Sequence, residues 1–374
     1  MFSKKETARY SRHILLSEIG DAGQEKLKRA RVLVIGAGGL GCPVLMYLAA
    51  AGIGKIGIVD FDVVDESNLQ RQILFDTNDI GKLKAEIAKQ RLSKQNPLIE
   101  IESIPQKLNN QNALEIFSGY DLLVDGTDNF STRYLVNDAC VLLGKTFVSG
   151  SIFKFSGQVS VFNFKGGPTY RCLFPAPPAP ESAPSCSVTG VLGVLPGIIG
   201  ALMANEVIKI VAGIGNILSG KVLLADSLTM DIQKLALSRN AEAIAMAPRN
   251  ETEFRKTDYD LFCGIKTTDN SLKEISSEEL RALLTSKEKV QLLDVREENE
   301  QPIVPELKGM CIPLGRLEQE REKISRDAKV IVFCRSGSRS RKAIELLSAK
   351  SGFGNLYNLK GGVMQWVSTT VLPR

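Results

Sequence analysis

Histidine is nearly absent from this sequence, which has a single one, His13, in 374 residues. A repeated histidine acid–base or metal cluster is therefore excluded, and we expect His13 to pack or to form hydrogen bonds. Excess charge of one sign is also small. The net charge of +5 is too low and too dispersed to indicate nucleic-acid binding, although it would help to attract an acidic protein partner.

Long apolar segments are missing as well. The N-terminus becomes polar within its first six residues, so no secretion signal is predicted. The longest apolar stretch, residues 188–204, contains Pro196 and ends at Asn205, and we interpret it as a buried helix rather than a membrane span. Seven scattered cysteines, an odd number, are typical of reduced thiols. These features favour a cytoplasmic protein without membrane association.

Short β-branched runs alternate with helical patterns over most of residues 1–240, which is typical of a parallel sheet covered by helices. Apolar and polar residues alternate in 158–164 and 221–237, so antiparallel strands are expected to extend that sheet. The predicted fold is a Rossmann-like mixed α/β domain. The segment 175–187 is rich in proline, alanine and serine and is predicted to cross the surface as a mobile loop.

A second, smaller α/β pattern occupies residues 271–374, with strands at 290–295 and 330–333 and a helix after Ser338. About a hundred residues are enough for an independent domain. Between the two patterns, residues 241–270 lose their periodicity and are predicted to be an interdomain linker. We therefore expect two domains, in agreement with the chain length.

A glycine-rich loop follows the predicted strand Arg31 to Ile35 directly and precedes a predicted helix. Such a loop presents backbone N–H groups and the positive end of the helix to a phosphate. Asp60 ends the next predicted strand, where a carboxylate can accept hydrogen bonds from ribose hydroxyls. The sequence predicts a nucleotide site, with tight packing of helix on sheet as the alternative. The glycines of the loop are Gly36, Gly38, Gly39 and Gly41.

Two cations and one carboxylate bear on which nucleotide is bound. Arg71 and Lys84 could clamp a triphosphate under attack, whereas a nicotinamide cofactor needs no such clamp. Asp128 follows another predicted strand and could hold Mg2+, which prefers oxygen ligands. The alternative for Asp128 is that it caps the following helix.

Several separated motifs make residues 1 to about 240 resemble the MoeB/ThiF family, bacterial relatives of ubiquitin-activating enzymes. They are Arg9 to Arg12, the glycine loop, Asp60 to Asp62, Ser67 to Gln72, Lys84 and Asp125 to Asn129. The resemblance implies that ATP, with Mg2+, adenylates the C-terminal glycine of a small ubiquitin-fold sulfur carrier that ends in Gly-Gly. It also implies a homodimer in which Arg12 reaches ATP across the interface. The implied ATP-binding residues are Arg12, Gly36, Gly38, Gly39, Gly41, Asp60, Asp62, Ser67, Asn68, Arg71, Gln72, Lys84, Asp128 and Asn129.

The chain departs from that family at a structural zinc site. Many members have two C-x-x-C pairs, but here Cys172 alone remains of the first pair, and residues 240–250 contain no cysteine. A tetrahedral site needs four ligands, so no structural zinc is predicted. The position of Cys186, in Ser185 to Gly190, resembles that of the family cysteine that is thought to attack the acyl adenylate or to accept persulfide sulfur. The alternative is an incidental exposed thiol.

A second loop, Cys334-Arg335-Ser336-Gly337-Ser338-Arg339, follows the predicted strand at 330–333 and precedes a helix. Inward N–H groups, Arg335 and Arg339 would favour a thiolate or persulfide anion at Cys334, the predicted nucleophile. Rhodanese-type sulfurtransferases and cysteine phosphatases both use such loops, but phosphatases place five residues between cysteine and arginine and this chain has four.

Residues 272–374 also resemble a rhodanese domain in Leu292 to Glu297, Ile312 to Leu314 and Asn358 to Gly362, with Trp366. The usual histidine-containing turn before the Ile-Pro-Leu segment is replaced by Glu306 to Gly309. The resemblance therefore implies the fold and leaves the sulfur donor open, for example a cysteine desulfurase or thiosulfate.

The two sites together predict a fused adenylyltransferase and sulfurtransferase of the molybdopterin-synthase type. A persulfide on Cys334 would convert the acyl adenylate to a thiocarboxylate, with Arg71, Asp128 and Cys186 as further catalytic candidates. The carrier could instead serve thiamin, tRNA thiolation or cysteine synthesis. Two other hypotheses are a nicotinamide-dependent oxidoreductase with a rhodanese domain and a non-catalytic scaffold that binds a ubiquitin-like protein.

Overall fold

The computed structural model describes residues 2–178, 190–264, 272–286 and 288–370. The chain divides into two compact units, Met1–Lys266 and Thr267–Arg374. Each unit has its own sheet and its own buried core.

The first unit is built on a mixed sheet in which the strand order is β3-β2-β1-β4-β5-β6-β7-β8. The pairs from β3 to β5 are parallel, and those from β5 to β8 are antiparallel. This confirms the predicted Rossmann-like mixed sheet. The strands are β1 (Arg31–Ile35), β2 (Lys55–Val59), β3 (Glu100–Ile104), β4 (Leu122–Asp125), β5 (Thr146–Phe153), β6 (Ser156–Phe162), β7 (Lys221–Asp226) and β8 (Ile232–Ala236).

Helices cover this sheet and close its ends. In chain order they are α1 (Lys4–Ile14), α2 (Gly20–Arg29), α3 (Gly41–Ala51), α4 (Lys84–Gln95), α5 (Ala113–Ser118), α6 (Phe130–Leu143), α7 (Tyr170–Leu173), α8 (Leu195–Ala212), α9 (Ala241–Ala245), α10 (Glu251–Lys256) and α11 (Tyr259–Phe262).

Strand β1 pairs with β2 on one side and with β4 on the other. The direction of the connections reverses at this point, so a crevice opens at the carboxyl ends of the three strands. Apart from Arg31 and Lys55 at their starts, all three strands are buried, and they are mostly apolar, as expected for the centre of a parallel sheet. The glycine loop, Asp60 and Asp125 therefore meet at one edge.

Helix α8 is the one described helix with the length and hydropathy of a membrane span. It packs on strands β5 and β6 and on helix α3, and Leu195, Ile199 and Met203 on it are fully buried. Pro196 lies in its first turn, where the missing N–H costs no helical hydrogen bond. The contacts identify α8 as a core helix, as the sequence predicted for this apolar stretch.

The predicted linker, 241–270, takes a different form in its described part. Residues up to Gly264 form α9, α10 and α11, and Phe254 and Tyr259 are buried in the core of the first unit. Asn250 caps α10 and Asp258 caps α11. This segment is therefore part of the first unit rather than a linker.

The second unit has a five-stranded sheet in the order β11-β10-β12-β13-β9, with every pair parallel. This confirms the predicted smaller α/β fold. Its strands are β9 (Glu274–Ile275), β10 (Val290–Asp294), β11 (Met310–Cys311), β12 (Lys329–Phe333) and β13 (Leu356–Leu359), and its helices are α12 (Ser277–Leu284), α13 (Leu317–Glu320), α14 (Ser338–Ser351) and α15 (Gly362–Thr370).

Candidate functional site

A cavity of about 770 Å³ opens at the carboxyl ends of β1, β2 and β4. Most of the residues predicted to bind ATP line it, although they come from five separate segments of the chain. Those residues are Gly36, Gly38, Gly39, Asp60, Asp62, Arg71, Gln72, Lys84, Asp128 and Asn129.

The backbone of the glycine loop has a conformation that leaves no room for side chains at some of its positions. Gly36 has a φ of +90°, and a Cβ on Gly41 would lie 1.8 Å from the carbonyl oxygen of Gly36. Gly41 lines no part of the cavity; it allows α3 to begin close against the loop. The glycines therefore serve both the close approach of a ligand and the packing of helix on sheet.

Asp60 holds the glycine loop in place. One carboxylate oxygen accepts the N–H of Ala37 at 2.7 Å, and the other accepts the N–H of Asp62 at 2.8 Å. Burial raises the pKa of this carboxyl, and Lys84 opposes that effect. The structure thus gives Asp60 a positioning role, and its predicted bond to ribose remains a prediction.

Lys84 is buried at the start of α4, with its ammonium 3.3 Å from a carboxylate oxygen of Asp62. An ammonium is rarely buried without a charged partner, and Asp62 is that partner here. Since Lys84 also lines the cavity, it supplies a fixed positive charge to the cavity wall. Asp62 is more exposed than Lys84, so a ligand anion can replace it as the partner of the lysine.

A short turn presents Arg71 to the cavity. The guanidinium donates to the carbonyl of Ser67 at 2.9 Å, and the hydroxyl of Ser67 donates to Asp65 at 2.6 Å. Asn68 accepts the N–H of Asp65 at 3.3 Å. Ser67 and Asn68 do not line the cavity; they shape the turn that carries Arg71.

Gln72 lines the same wall and is 4 % exposed. Its side-chain oxygen is buried and accepts no hydrogen bond from any of the residues that the structure describes. An unpaired buried amide oxygen costs free energy, so a ligand or water that donates to it would be favoured.

Asp128 and Asn129 have different roles. Asn129 is the N-cap of α6 and accepts the N–H of Thr132 at 2.9 Å, so the proposed cap role belongs to Asn129 and not to Asp128. Asp128 is exposed on the cavity wall and has no protein hydrogen-bond or ion-pair partner within the described part of the chain.

Asp128 is also the candidate ligand for Mg2+. Within the described ranges no three His, Cys, Asp or Glu side chains form a metal cluster. However, Mg2+ usually takes one or two carboxylates and completes its shell with phosphate oxygens and water. The carboxylate of Asp128, which lines the same cavity as Lys84 and Arg71, fits that requirement.

One wall of the cavity, formed by residues 106–110 and 256–260, was not predicted from the sequence. The amide of Asn110 donates to the carbonyls of Arg255 at 2.7 Å and Thr257 at 2.9 Å, and thereby joins the two segments. Tyr259 donates to Asp138 at 3.0 Å. The helix caps Asn250 and Asp258 were the sequence signals that could have shown order here.

Two further predicted site residues, Arg12 and Cys186, do not line the cavity in the described part of the chain. Arg12 is exposed in the last turn of α1 and does not line the cavity. Cys186 falls within 179–189, which is not among the described residues. The chain that follows returns to the site, because Val191 lines the cavity and Gly193 packs on Gln70.

Cys172, the remainder of the zinc motif, makes local hydrogen bonds. Its sulfur accepts the N–H groups of Thr169 and Asn240, each at 3.3 Å, and so joins α7 to α9. Beside it, Arg171 forms a buried ion pair with Asp138 at 2.7 Å. The absence of structural zinc stays a prediction.

The second unit carries its thiol at the end of β12. Cys334 is 1 % exposed, and its sulfur accepts the N–H of Gly337 at 3.2 Å and lies 3.5 Å from the hydroxyl of Ser340. Gly337, with a φ of +91°, allows the loop to curl into α14. Arg335, Ser336 and Ser338 are exposed around it, and Arg339 is half-buried.

The chain has a phosphate-binding type of loop at the point where the strand order of the mixed sheet reverses, and it also has a thiol held within a loop at the end of β12. These two features define a class of nucleotide-binding enzymes that carry a rhodanese-like unit. The model of the ThiF family matches residues 10–245, and that of the rhodanese-like domain matches residues 276–369. The chain belongs to the ThiF family, and both resemblances are confirmed.

Named relatives match most of this chain. The chain is 43 % identical to the probable adenylyltransferase/sulfurtransferase MoeZ of Mycobacterium tuberculosis, over 97 % of this chain and 93 % of MoeZ. It is 40 % identical to mouse (Mus musculus) adenylyltransferase and sulfurtransferase MOCS3, over 98 % and 86 %. The sulfur carrier protein adenylyltransferase of Thermus thermophilus is 50 % identical over 71 % of this chain and 99 % of its own length.

Among solved structures, E. coli MccB with ATP is similar, with a TM-score of 0.55 and 26 % identity over 62 % of this chain and 72 % of MccB.

Proposed function

We propose that this enzyme uses ATP to adenylate the C-terminal glycine of a small ubiquitin-fold sulfur carrier, and then converts the adenylate to a thiocarboxylate with sulfur held on Cys334. One observation carries the proposal: a single cavity gathers the glycine loop, Arg71, Lys84 and Asp128. The adenylyltransferase and sulfurtransferase activities named for the relatives support it.

The adenylation step needs little covalent help from protein groups. A carboxylate oxygen of the carrier attacks the α-phosphorus of ATP, and pyrophosphate leaves with the electron pair of the broken P–O bond. The developing negative charge falls on oxygens that Arg71 and Lys84 would face. Removing one such contact typically costs on the order of a hundredfold in rate.

Asp128 would hold Mg2+ through its free carboxylate. The ion, when bound, offsets charge on the phosphates. The buried oxygen of Gln72 and the Asp60-tied glycine loop would orient the nucleotide around it.

The sulfur step follows from the chemistry of a persulfide. The terminal sulfur of a Cys334 persulfide attacks the acyl carbon of the adenylate, and AMP leaves with the electrons of the C–O bond. The product is an acyl disulfide, so a thiol must then cleave the S–S bond, releasing the thiocarboxylate and forming a new disulfide. Cys186 is our candidate for that thiol, because it precedes the cavity residue Val191 by five positions.

Both units belong to one polypeptide, which makes the second step intramolecular and raises the effective concentration of the sulfur donor. We further propose a cytoplasmic homodimer in which Arg12 completes the partner's ATP site. The sulfur donor would be a cysteine desulfurase or a small sulfur compound. The carrier for molybdopterin is our first candidate, with those for thiamin and tRNA thiolation as alternatives.

The test combines the full chain with ATP and carriers that end in Gly-Gly. The rate of ATP–pyrophosphate exchange and the yield of thiocarboxylate are measured. We expect exchange with at least one carrier, no competition by NAD, and a Cys334→Ser variant that keeps exchange but loses thiocarboxylate. No exchange with any carrier would contradict the adenylation step. Undiminished thiocarboxylate from Cys334→Ser would remove Cys334 from the scheme.

A further inference from the structure

Arg339, the last residue of the thiol loop, is paired with a carboxylate from a distant part of the chain. Its guanidinium donates to both oxygens of Glu300, one at 2.7 Å, in the two-pronged geometry that gives the strongest ion pairs. The two side chains are only 35 % and 22 % exposed. The hydrogen bond from Arg339 lowers the pKa of Glu300, so this carboxyl is ionised at neutral pH.

The segment that carries Glu300 is itself fixed next to the thiol loop. The guanidinium of Arg296 donates to the carbonyls of Glu300 at 3.1 Å and Pro302 at 2.9 Å. Arg296 also pairs with Asp294 at 2.7 Å, at the end of β10. In the sheet Asp294 lies opposite Phe333, the residue before Cys334. The backbone at Glu300 is therefore fixed, and its ion pair with Arg339 is part of the folded structure of this unit.

Four charged side chains near Cys334 therefore cancel in two pairs. Asp294 neutralises Arg296, and Glu300 neutralises Arg339. Arg335 is exposed and has no ion-pair partner within the described ranges. The loop thus offers an incoming donor one unpaired cation where its sequence contains two arginines.

Small sulfur donors differ in the charge that they bring to this loop. Thiosulfate is a dianion whose sulfonate end must be neutralised as it binds, whereas a cysteine persulfide has one negative charge at its reacting end. A fixed carboxylate paired with an arginine of the thiol loop disfavours the dianion more than the monoanion. We propose that Glu300 is a specificity-determining residue that occupies Arg339 and thereby selects persulfide donors over thiosulfate. This inference rests on the proposed role of Cys334 as the sulfur acceptor.

The two donors react by balanced steps. With thiosulfate, the Cys334 thiolate attacks the outer sulfur and sulfite leaves with the electron pair of the S–S bond. With cysteine persulfide, the same attack expels the cysteine thiolate. In both cases cyanide can then take the sulfur from the Cys334 persulfide as thiocyanate and restore the thiolate, which gives one common readout.

The experiment compares Glu300→Gln with the control Glu298→Gln in the full chain. Glu298 lies in the same segment and pairs with Arg316, but both of these side chains are well exposed. Thiocyanate formation is measured with thiosulfate and with cysteine persulfide, and folding is checked by thermal unfolding. We expect Glu300→Gln to raise the ratio of kcat/KM for thiosulfate over cysteine persulfide about tenfold, mainly through a lower thiosulfate KM. Glu298→Gln should leave this ratio unchanged.

A double variant shows whether Glu300 selects the donor through Arg339 or only supports the structure of the thiol loop. If Glu300 acts by occupying Arg339, the gain should disappear in Glu300→Gln/Arg339→Gln. A ratio that stays constant or falls in Glu300→Gln would overturn the proposal, and so would a gain that persists without Arg339. Failure of the underlying role of Cys334 gives a different result, because thiocyanate would then still form in Cys334→Ser and no persulfide would be found on Cys334 by mass spectrometry.

Discussion

The α-carbon of Gly41 faces the carbonyl of Gly36 so closely that a Cβ at position 41 would lie 1.8 Å from the oxygen. The two glycines close the turn between β1 and α3, and Asp60 ties the same turn to the end of β2. A phosphate-binding loop in this conformation depends on that close approach.

Gly41→Ala should therefore displace the loop and lower both ATP affinity and pyrophosphate exchange by at least about a hundredfold. Gly197→Ala is the matched control, since a Cβ at this position in α8 meets no atom within 4 Å. It should retain full exchange and gain slightly in stability. Equal exchange in wild type and a folded Gly41→Ala protein would show that the loop does not approach the phosphates.

Asp128 and Asn129 offer a second test, because neighbouring residues have separate roles. Asp128→Asn should lower pyrophosphate exchange about a hundredfold or more and weaken its dependence on Mg2+ concentration, with the fold unchanged. Asn129→Ala removes the α6 cap and should instead lower the free energy of unfolding by about 1 kcal/mol.

The measurements are exchange over a Mg2+ titration and thermal unfolding of both variants. The assignment of roles is contradicted if Asp128→Asn keeps the wild-type Mg2+ dependence.

Local sequence was sufficient to predict the parts of the site that lie directly after strands. Gly36, Asp60 and Cys334 each follow a buried β-branched run, and such runs define both the strand and the edge at which it ends. Since parallel strands share one edge, their following residues meet there without further information.

The remaining parts depend on contacts between distant residues, which periodicity cannot show. Segment 251–262 has few apolar residues, yet it is ordered because Phe254 and Tyr259 enter a core supplied by other elements. Glu300 and Arg339 are 39 positions apart, and nothing in either neighbourhood indicates their pairing. The role of Asp60 in holding the N–H of Ala37 was hidden for the same reason.

The buried ion pair of Arg171 and Asp138 supports a wall of the nucleotide cavity, because Tyr259 donates to the same carboxylate. Asp138→Asn would leave the buried guanidinium without its counter-charge, and we expect a loss of about 3 to 5 kcal/mol in unfolding free energy. Asp121→Asn is the control: its ion pair with Arg31 is about half exposed, so at most about 1 kcal/mol should be lost.

Denaturant unfolding of both variants measures the difference. A loss of similar size at the two positions would show that burial does not set the strength of the Arg171–Asp138 pair.

The pairing of Glu6 with Lys28 predicts a pH dependence in α1. The hydrogen bond from Lys28 lowers the pKa of Glu6 from 4.5 to about 2, and the N–H of Ser3 adds to the effect. A carboxyl whose pKa is lower in the folded state than in the unfolded state stabilises the folded state at pH values above its unfolded-state pKa. This contribution is present above about pH 4.5 and is lost as the pH falls towards 2.

Glu6→Gln should keep the cap on Ser3 but lose the ion pair, which would lower the opening free energy of α1 by about 1 to 2 kcal/mol at pH 7. Amide hydrogen exchange across Lys4–Ile14, compared at equal pH, measures this loss. Glu25→Gln, which breaks a largely exposed pair with Arg29, should change the exchange of α1 much less. Because protonation of Glu6 removes the same interaction, wild type and Glu6→Gln should converge near pH 2, and a difference that stays constant with pH would mean that charge plays no part.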